Sequence, residues 1–225
     1  MDPITGYVSI ISDPFVGNHI VLAGATLDNA NDNFYYYAPG SPNLNAVDLS
    51  TGNLSSTLPL NDVAGSYFDQ IQFNCNDSGF YGLLRTSEPP FQMRLGKLDL
   101  NTGQIDVLSA TSVGSAHQTD YTYDRGTNTY YFSVTNTITA IDMTNGDLLG
   151  STEISLADGE YFENIAYNCS DGEMYGTYRN GEGIRAARVD LATGDMTLLT
   201  SEPFAMYFAI GAGNVLDDGT GLYYF

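Results

Sequence analysis

Positive charge is scarce in this sequence. Seven Lys and Arg stand against 27 Asp and Glu, a formal net charge of −20. A surface so acidic repels phosphate backbones and anionic headgroups, which excludes nucleic acid and membrane surfaces as partners. Tryptophan is absent altogether, which rules out any repeat built on that residue. No run approaches the roughly 20 apolar residues that span a bilayer. The opening Met1-Asp2-Pro3 has neither the basic nor the apolar region of a secretory signal. Sustained helical periodicity is missing too. So are GxSxG, HExxH, P-loop and CxxC motifs, and no histidine adjoins a cysteine, so enzymatic constellations are thin. The only cysteines, Cys75 and Cys169, occupy matching places in two separate stretches, Phe73-Asn74-Cys75-Asn76-Asp77 and Tyr167-Asn168-Cys169-Ser170-Asp171. Matching places on non-adjacent units lie far apart, whereas a disulfide needs Cα atoms within about 7 Å. Two free thiols are expected.

What is present points to a folded β protein. Apolar residues make up 43% of the 225, with 17 Tyr, 11 Phe and 24 Gly. That composition suits a core with many tight turns and not a disordered acidic tail. Five times an aspartate is followed four residues later by glycine: Asp2–Gly6, Asp48–Gly52, Asp99–Gly103, Asp142–Gly146 and Asp190–Gly194, four of them ending Thr-Gly. The aspartates are 46, 51, 43 and 48 residues apart, a period that marks an array of supersecondary units.

Each unit repeats one order. A first strand ends in an Asp/Asn/Gly turn (Leu27-Asp28-Asn29, Tyr167-Asn168) and an aromatic second strand follows (Phe34-Tyr35-Tyr36, Tyr130-Tyr131-Phe132). A third strand reaches the repeated aspartate (Leu44–Asp48, Ile138–Asp142), and its Thr-Gly turn leads into a fourth, such as Met196–Leu199. Four short antiparallel strands repeated five times predict a single all-β domain over residues 1–225, a five-bladed β-propeller. The N-terminal Thr5-Gly6 to Phe15 parallels Thr193-Gly194 to Phe204, and the chain stops on a second strand at Phe225. The last blade is therefore expected to take two strands from each terminus and close the ring without exposed edges.

These units resemble those of secreted or surface β-propellers with strand–DxxTG–strand repeats, over nearly the whole length. In blade number and size the chain also resembles the small five-bladed lectins of the tachylectin-2 type. Their Trp-rich repeat has no counterpart here, so the resemblance implies architecture and transfers no binding residue.

The Asp-x-x-Thr-Gly segments read as turns and not as cation sites, because aspartate bonds its own downstream amides and glycine supplies positive φ. The acidic first turns lack the spaced ligands and distal bidentate Glu of a calcium loop. Neither metal nor cofactor is expected. The informative feature is that blades two and four are alike: Tyr67-Phe68-Asp69-Gln70-Ile71 matches Tyr161-Phe162-Glu163-Asn164-Ile165, and Arg85, Arg94 and Lys97 match Arg179, Arg185 and Arg188. Six of the seven basic residues thus fall in the second-to-third-strand segments of alternate blades. Those loops open on the face where the innermost strands begin.

Guanidinium groups beside aromatic rings grip carboxylates or stack on sugars and peptides. The candidate ligand-binding residues are Arg85, Arg179, Arg94, Arg185, Tyr67, Phe68, Tyr161, Phe162, Tyr207, Phe208 and His117. An alternative has Arg85 and Arg179 paired internally with Asp69 and Glu163. His19 and His117, two histidines without a third ligand, make a weak metal site. The expected function is a non-catalytic module of an extracellular or cell-surface protein, binding a glycan or peptide on the loop-rich face. Alternatives are a protein-interaction propeller without a small-molecule site, and a small glycoside hydrolase using Asp69, Asp120 and Glu163.

Overall fold

The structure, a computed structural model, describes residues 24–28, 31–37, 43–61, 66–74, 76–115, 120–169, 171–203, 215–217 and 222–224. Within them lie β1 (Gly24–Asp28), β2 (Asn33–Tyr37), β3 (Asn43–Asp48), β4 (Leu54–Pro59), β5 (Ser66–Asn74), β6 (Gly79–Thr86), β7 (Met93–Leu98), β8 (Ile105–Val107) and β9 (Tyr121–Asp124). They are followed by β10 (Thr129–Val134), β11 (Thr137–Asp142), β12 (Leu148–Glu153), β13 (Tyr161–Asn168), β14 (Glu173–Asn180), β15 (Gly183–Val189), β16 (Met196–Leu198), β17 (Val215–Asp217) and β18 (Leu222–Tyr224). Four antiparallel sheets take their strands in chain order, β1–β4, β5–β8, β9–β12 and β13–β16, and β17 pairs with β18. This is a β-propeller arrangement. Four complete blades are described where the sequence predicts five. Residues 1–23, which include the N-terminal stretch through Phe15 assigned to the closing blade, lie outside the described residues.

The first strands line a common axis: β1 lies against β5, β5 against β9, β9 against β13, and β13 against β17. Tyr121 spans that axis from blade three to blade one, its hydroxyl 3.3 Å from the Ala25 amide and 3.4 Å from the Ala25 carbonyl. The core sits between successive sheets, because alternate side chains of each strand point to opposite neighbours. On β6, Phe80 and Leu84 pack against Leu44 of blade one, whereas Tyr81 and Leu83 pack against Tyr130 and Phe132 of blade three. Middle strands buried on both faces read as continuous apolar runs, such as Gly79-Phe80-Tyr81-Gly82-Leu83-Leu84.

The repeated aspartate closes its own turn. Side-chain oxygens of Asp48, Asp99, Asp142 and Asp190 accept the amides of Ser50, Asn101, Thr144 and Ala192 at 2.7–2.8 Å. The amides of Gly52, Gly103, Gly146 and Gly194 donate to the carbonyls of those aspartates at 2.7–2.8 Å. These glycines have φ of 72°, 71°, 74° and 79°. Gly103, Gly146 and Gly194 also meet the preceding blade: a Cβ on Gly103 would fall 2.0 Å from the Pro59 carbonyl oxygen, and one on Gly194 would fall 2.0 Å from that of Glu153. The turn at Asp2 lies outside the described residues. Among the described residues no helix is long and apolar enough to cross a membrane.

Candidate ligand-binding site

Strand register explains why blades two and four carry the same surface. On the shared face Tyr67 pairs with Arg85 across β5 and β6, and Tyr161 pairs with Arg179 across β13 and β14. Both tyrosines are exposed, at 49% and 44%. Each ring carries a guanidinium: Arg85 Cζ is 5.7 Å from the Tyr67 ring centre and Arg179 Cζ is 4.1 Å from that of Tyr161. Such a contact holds the ring in place and leaves its other face for a ligand.

The neighbouring phenylalanines correct the sequence reading. Phe68 and Phe162 are 1% and 2% exposed, on the strand face opposite the tyrosines, and belong to the core between blades. They present nothing to a ligand. Tyr207, Phe208, His117 and His19 lie outside the described residues, as do Cys75 and the side chain of Asp69. Cys169 forms no disulfide among the described residues.

Most of the basic residues are occupied within the chain. Arg179 holds Glu163 with two bonds, Nε at 3.2 Å and Nη2 at 2.9 Å. Arg185 bonds Glu182 at 2.8 Å, Arg188 bonds Glu173 at 2.6 Å and Lys97 bonds Asp77 at 2.6 Å. The internal pairing considered for Arg179 is therefore present, and the guanidinium acts chiefly on Glu163 and the Tyr161 ring. Arg94 is half-buried on β7 and makes no ion pair among the described residues. No group of three His, Cys, Asp or Glu among the described residues is placed to hold a metal ion.

Sequence reasoning missed the bulge that shapes the site. Register shifts between Asp69 and Gln72 and between Glu163 and Ala166 put Gln70 and Asn164 at φ 56°. In blade four this bulge is tied to blade three, because the Asn164 N–H donates to Asp120 Oδ2 at 2.7 Å. The Asn164 side chain donates to Thr177 Oγ1 at 2.9 Å, and Thr177 bonds the Glu163 carbonyl at 3.1 Å. Burial pushes the Asp120 carboxyl above the usual carboxylate range, and the nearby Glu163 charge adds to this against the Asn164 bond.

The sign of the pH effect follows. A carboxyl whose folded pKa exceeds its unfolded one favours folding when protonated, and that contribution is lost as pH rises through the folded value. Asp120→Asn keeps an acceptor for the Asn164 amide and cannot ionise. It is expected to be more stable than the parent at pH 7, with the gap closing toward pH 3. Urea unfolding across that range checks it, and a variant less stable at pH 7 by an amount that does not change with pH contradicts it.

No protein-family model matches the chain, and no curated protein matches it. Solved structures do. A putative TolB from Agrobacterium tumefaciens superposes with a TM-score of 0.55 at 10% identity, over 81% of this chain and 62% of its own. The nidogen/laminin complex gives 0.53 at 13% identity, over 80% and 65%. An oligogalacturonate lyase in complex with manganese gives 0.52 at 16% identity, over 79% and 52%. At these identities the likeness shows the propeller fold alone. This chain spans between about half and two-thirds of the length of those structures.

Proposed function

We propose that the chain is a non-catalytic recognition propeller that binds a peptide or glycan segment on the face carrying Tyr67 and Tyr161. The observation that supports it is the duplicated pair: two exposed tyrosines at equivalent places, each held by an arginine, in a protein with only seven basic residues. Two similar sites on one face raise the avidity for a ligand that spans them. Arg85, Arg94 and Arg185 frame the same face, as do Tyr207, Phe208 and His117 in this reading. Protein partners are in keeping with it, since one structure of the same fold is a nidogen/laminin complex. An extracellular or cell-surface setting within a larger protein fits the strongly acidic composition.

The reading includes a closed ring of five sectors, in which β17 and β18 are joined by strands from the N-terminal segment. Two observations favour it. The first strands β1, β5, β9, β13 and β17 neighbour one another in succession. Gly52 is buried like Gly103, Gly146 and Gly194, and each of those three meets the end of the preceding blade's last strand. Gly52 belongs to the first described blade, and in this reading its cover comes from a fifth.

Screening peptide and glycan arrays with the parent and with Tyr67→Ala/Tyr161→Ala tests the function. Exposed tyrosines contribute little to the fold, so the double variant is expected to melt within a few degrees of the parent. Its affinity for any ligand found is expected to drop at least tenfold. Unchanged binding by the double variant, or no ligand on either array, counts against the proposal.

A further inference from the structure

We propose that the blade-four site receives a positively charged group, the side chain of a Lys or Arg in a peptide, and that Asp120 is the residue that takes it. This rests on the recognition reading above and adds the chemistry of the ligand. Asp120 stands just before β9, beside Glu163 and bonded to the amide of Asn164, three residues along β13 from solvent-exposed Tyr161. Its Oδ2 accepts the Asn164 amide, and among the described residues no cation pairs with it. The arginine close at hand, Arg179, is held by both oxygens of Glu163.

A half-buried carboxylate without a counter-cation is unfavourable, and a like charge beside it makes it more so. A ligand ammonium or guanidinium offsets both. The exposed Tyr161 ring offers a surface for the methylene stem that carries the charge.

Blade two lacks this arrangement. The Thr26 and Thr122 hydroxyls accept the amides of Phe73 and Tyr167 at 2.9 and 3.1 Å, which aligns β1–β5 with β9–β13 and makes Gly24 the counterpart of Asp120. A Cβ on Gly24 would come within 2.7 Å of the Ile71 amide nitrogen, so no side chain fits there. Among the described residues the blade-two site therefore has no counterpart of the Asp120 carboxylate, and the selection for charge is assigned to blade four. A peptide is favoured because the chain's net charge of −20 draws cationic chains generally, while Asp120 fixes where the charge docks.

The test is calorimetric titration at about 0.15 M salt, where screening over about 8 Å suppresses the general field. The probes are a capped Gly-Lys-Gly-Lys-Gly peptide, its norleucine counterpart and a glucosamine oligomer. The lysine peptide is expected to bind the parent at least tenfold more tightly than the norleucine peptide. Asp120→Asn is expected to abolish that preference, whereas Asp106→Asn, the same charge change on exposed β8, retains it. Equal binding of the two peptides, equal loss in both variants, or binding of the glucosamine oligomer alone overturns the inference. If ligand binding still requires Tyr161 but ignores Asp120→Asn, this inference fails and the recognition reading stands. If Tyr161→Ala has no effect on any ligand, the recognition reading itself fails.

Discussion

Gly103→Ala is expected to lower the unfolding free energy by about 3–5 kcal/mol and the melting temperature by roughly 10 °C or more, read by circular dichroism. Two costs combine. Gly103 sits at φ 71°, where a side chain costs about 1–2 kcal/mol. Its Cβ would also lie 2.0 Å from the Pro59 carbonyl oxygen, a backbone atom that no rotamer change can move. The Asn61 N–H donates to the Gly103 carbonyl at 2.8 Å, and the Asn61 side chain donates to Thr102 at 2.8 Å, so relief by displacing the turn breaks the seam between blades one and two. Gly159→Ala isolates the first cost, because Gly159 has φ 84° and nothing within 4 Å of an added Cβ. Equal effects of the two substitutions would refute the packing argument. The same comparison bears on ring closure: Gly52→Ala is expected to behave like Gly103→Ala if a fifth blade covers it, and like Gly159→Ala if none does.

The repeated Asp-x-x-Thr-Gly was legible because its chemistry is local: the aspartate bonds amides two residues on, and the glycine takes a φ that the same turn demands. That the glycine is also a contact point between blades was not legible, since its partner lies some 44 residues earlier, at Pro59 for Gly103. The Arg179–Glu163 bond was anticipated as the internal alternative, because the two strands are consecutive and a hairpin fixes who faces whom. The Asp120–Asn164 bond joins residues 44 positions apart in different blades and leaves no local signature. Asn164 and Gln70 likewise read as ordinary strand residues. Their positive φ arises from a bulge that register alone reveals. The adjacent Tyr-Phe pairs failed for a related reason. A strand alternates its faces, but in a propeller both sheet faces are covered, so polarity does not announce which member of an aromatic pair stays outside.

Phe162 and Tyr161 turn that ambiguity into an experiment. Phe162→Ala is expected to cost about 3–5 kcal/mol, because the ring is 2% exposed and packs with Ile138 and Ile154 of blade three and with Ile165, Met174 and Tyr178 of its own blade. The space cannot close easily: a Cβ on Gly176 would fall 2.7 Å from the ring, so strand and ring are already in contact, and the flanking strands are tied into the β13–β14–β15 ladder. Tyr161→Ala removes an exposed ring and one guanidinium contact, about 0.5–1 kcal/mol at an open site. The adjacent substitutions are therefore expected to separate cleanly. The first melts early yet binds ligand wherever it remains folded. The second melts close to the parent and loses binding at blade four. A stable Phe162→Ala protein with impaired binding would put the phenylalanine back on the surface and reverse the phase of β13, taking with it the assignment of Tyr161 as the ring that meets the ligand.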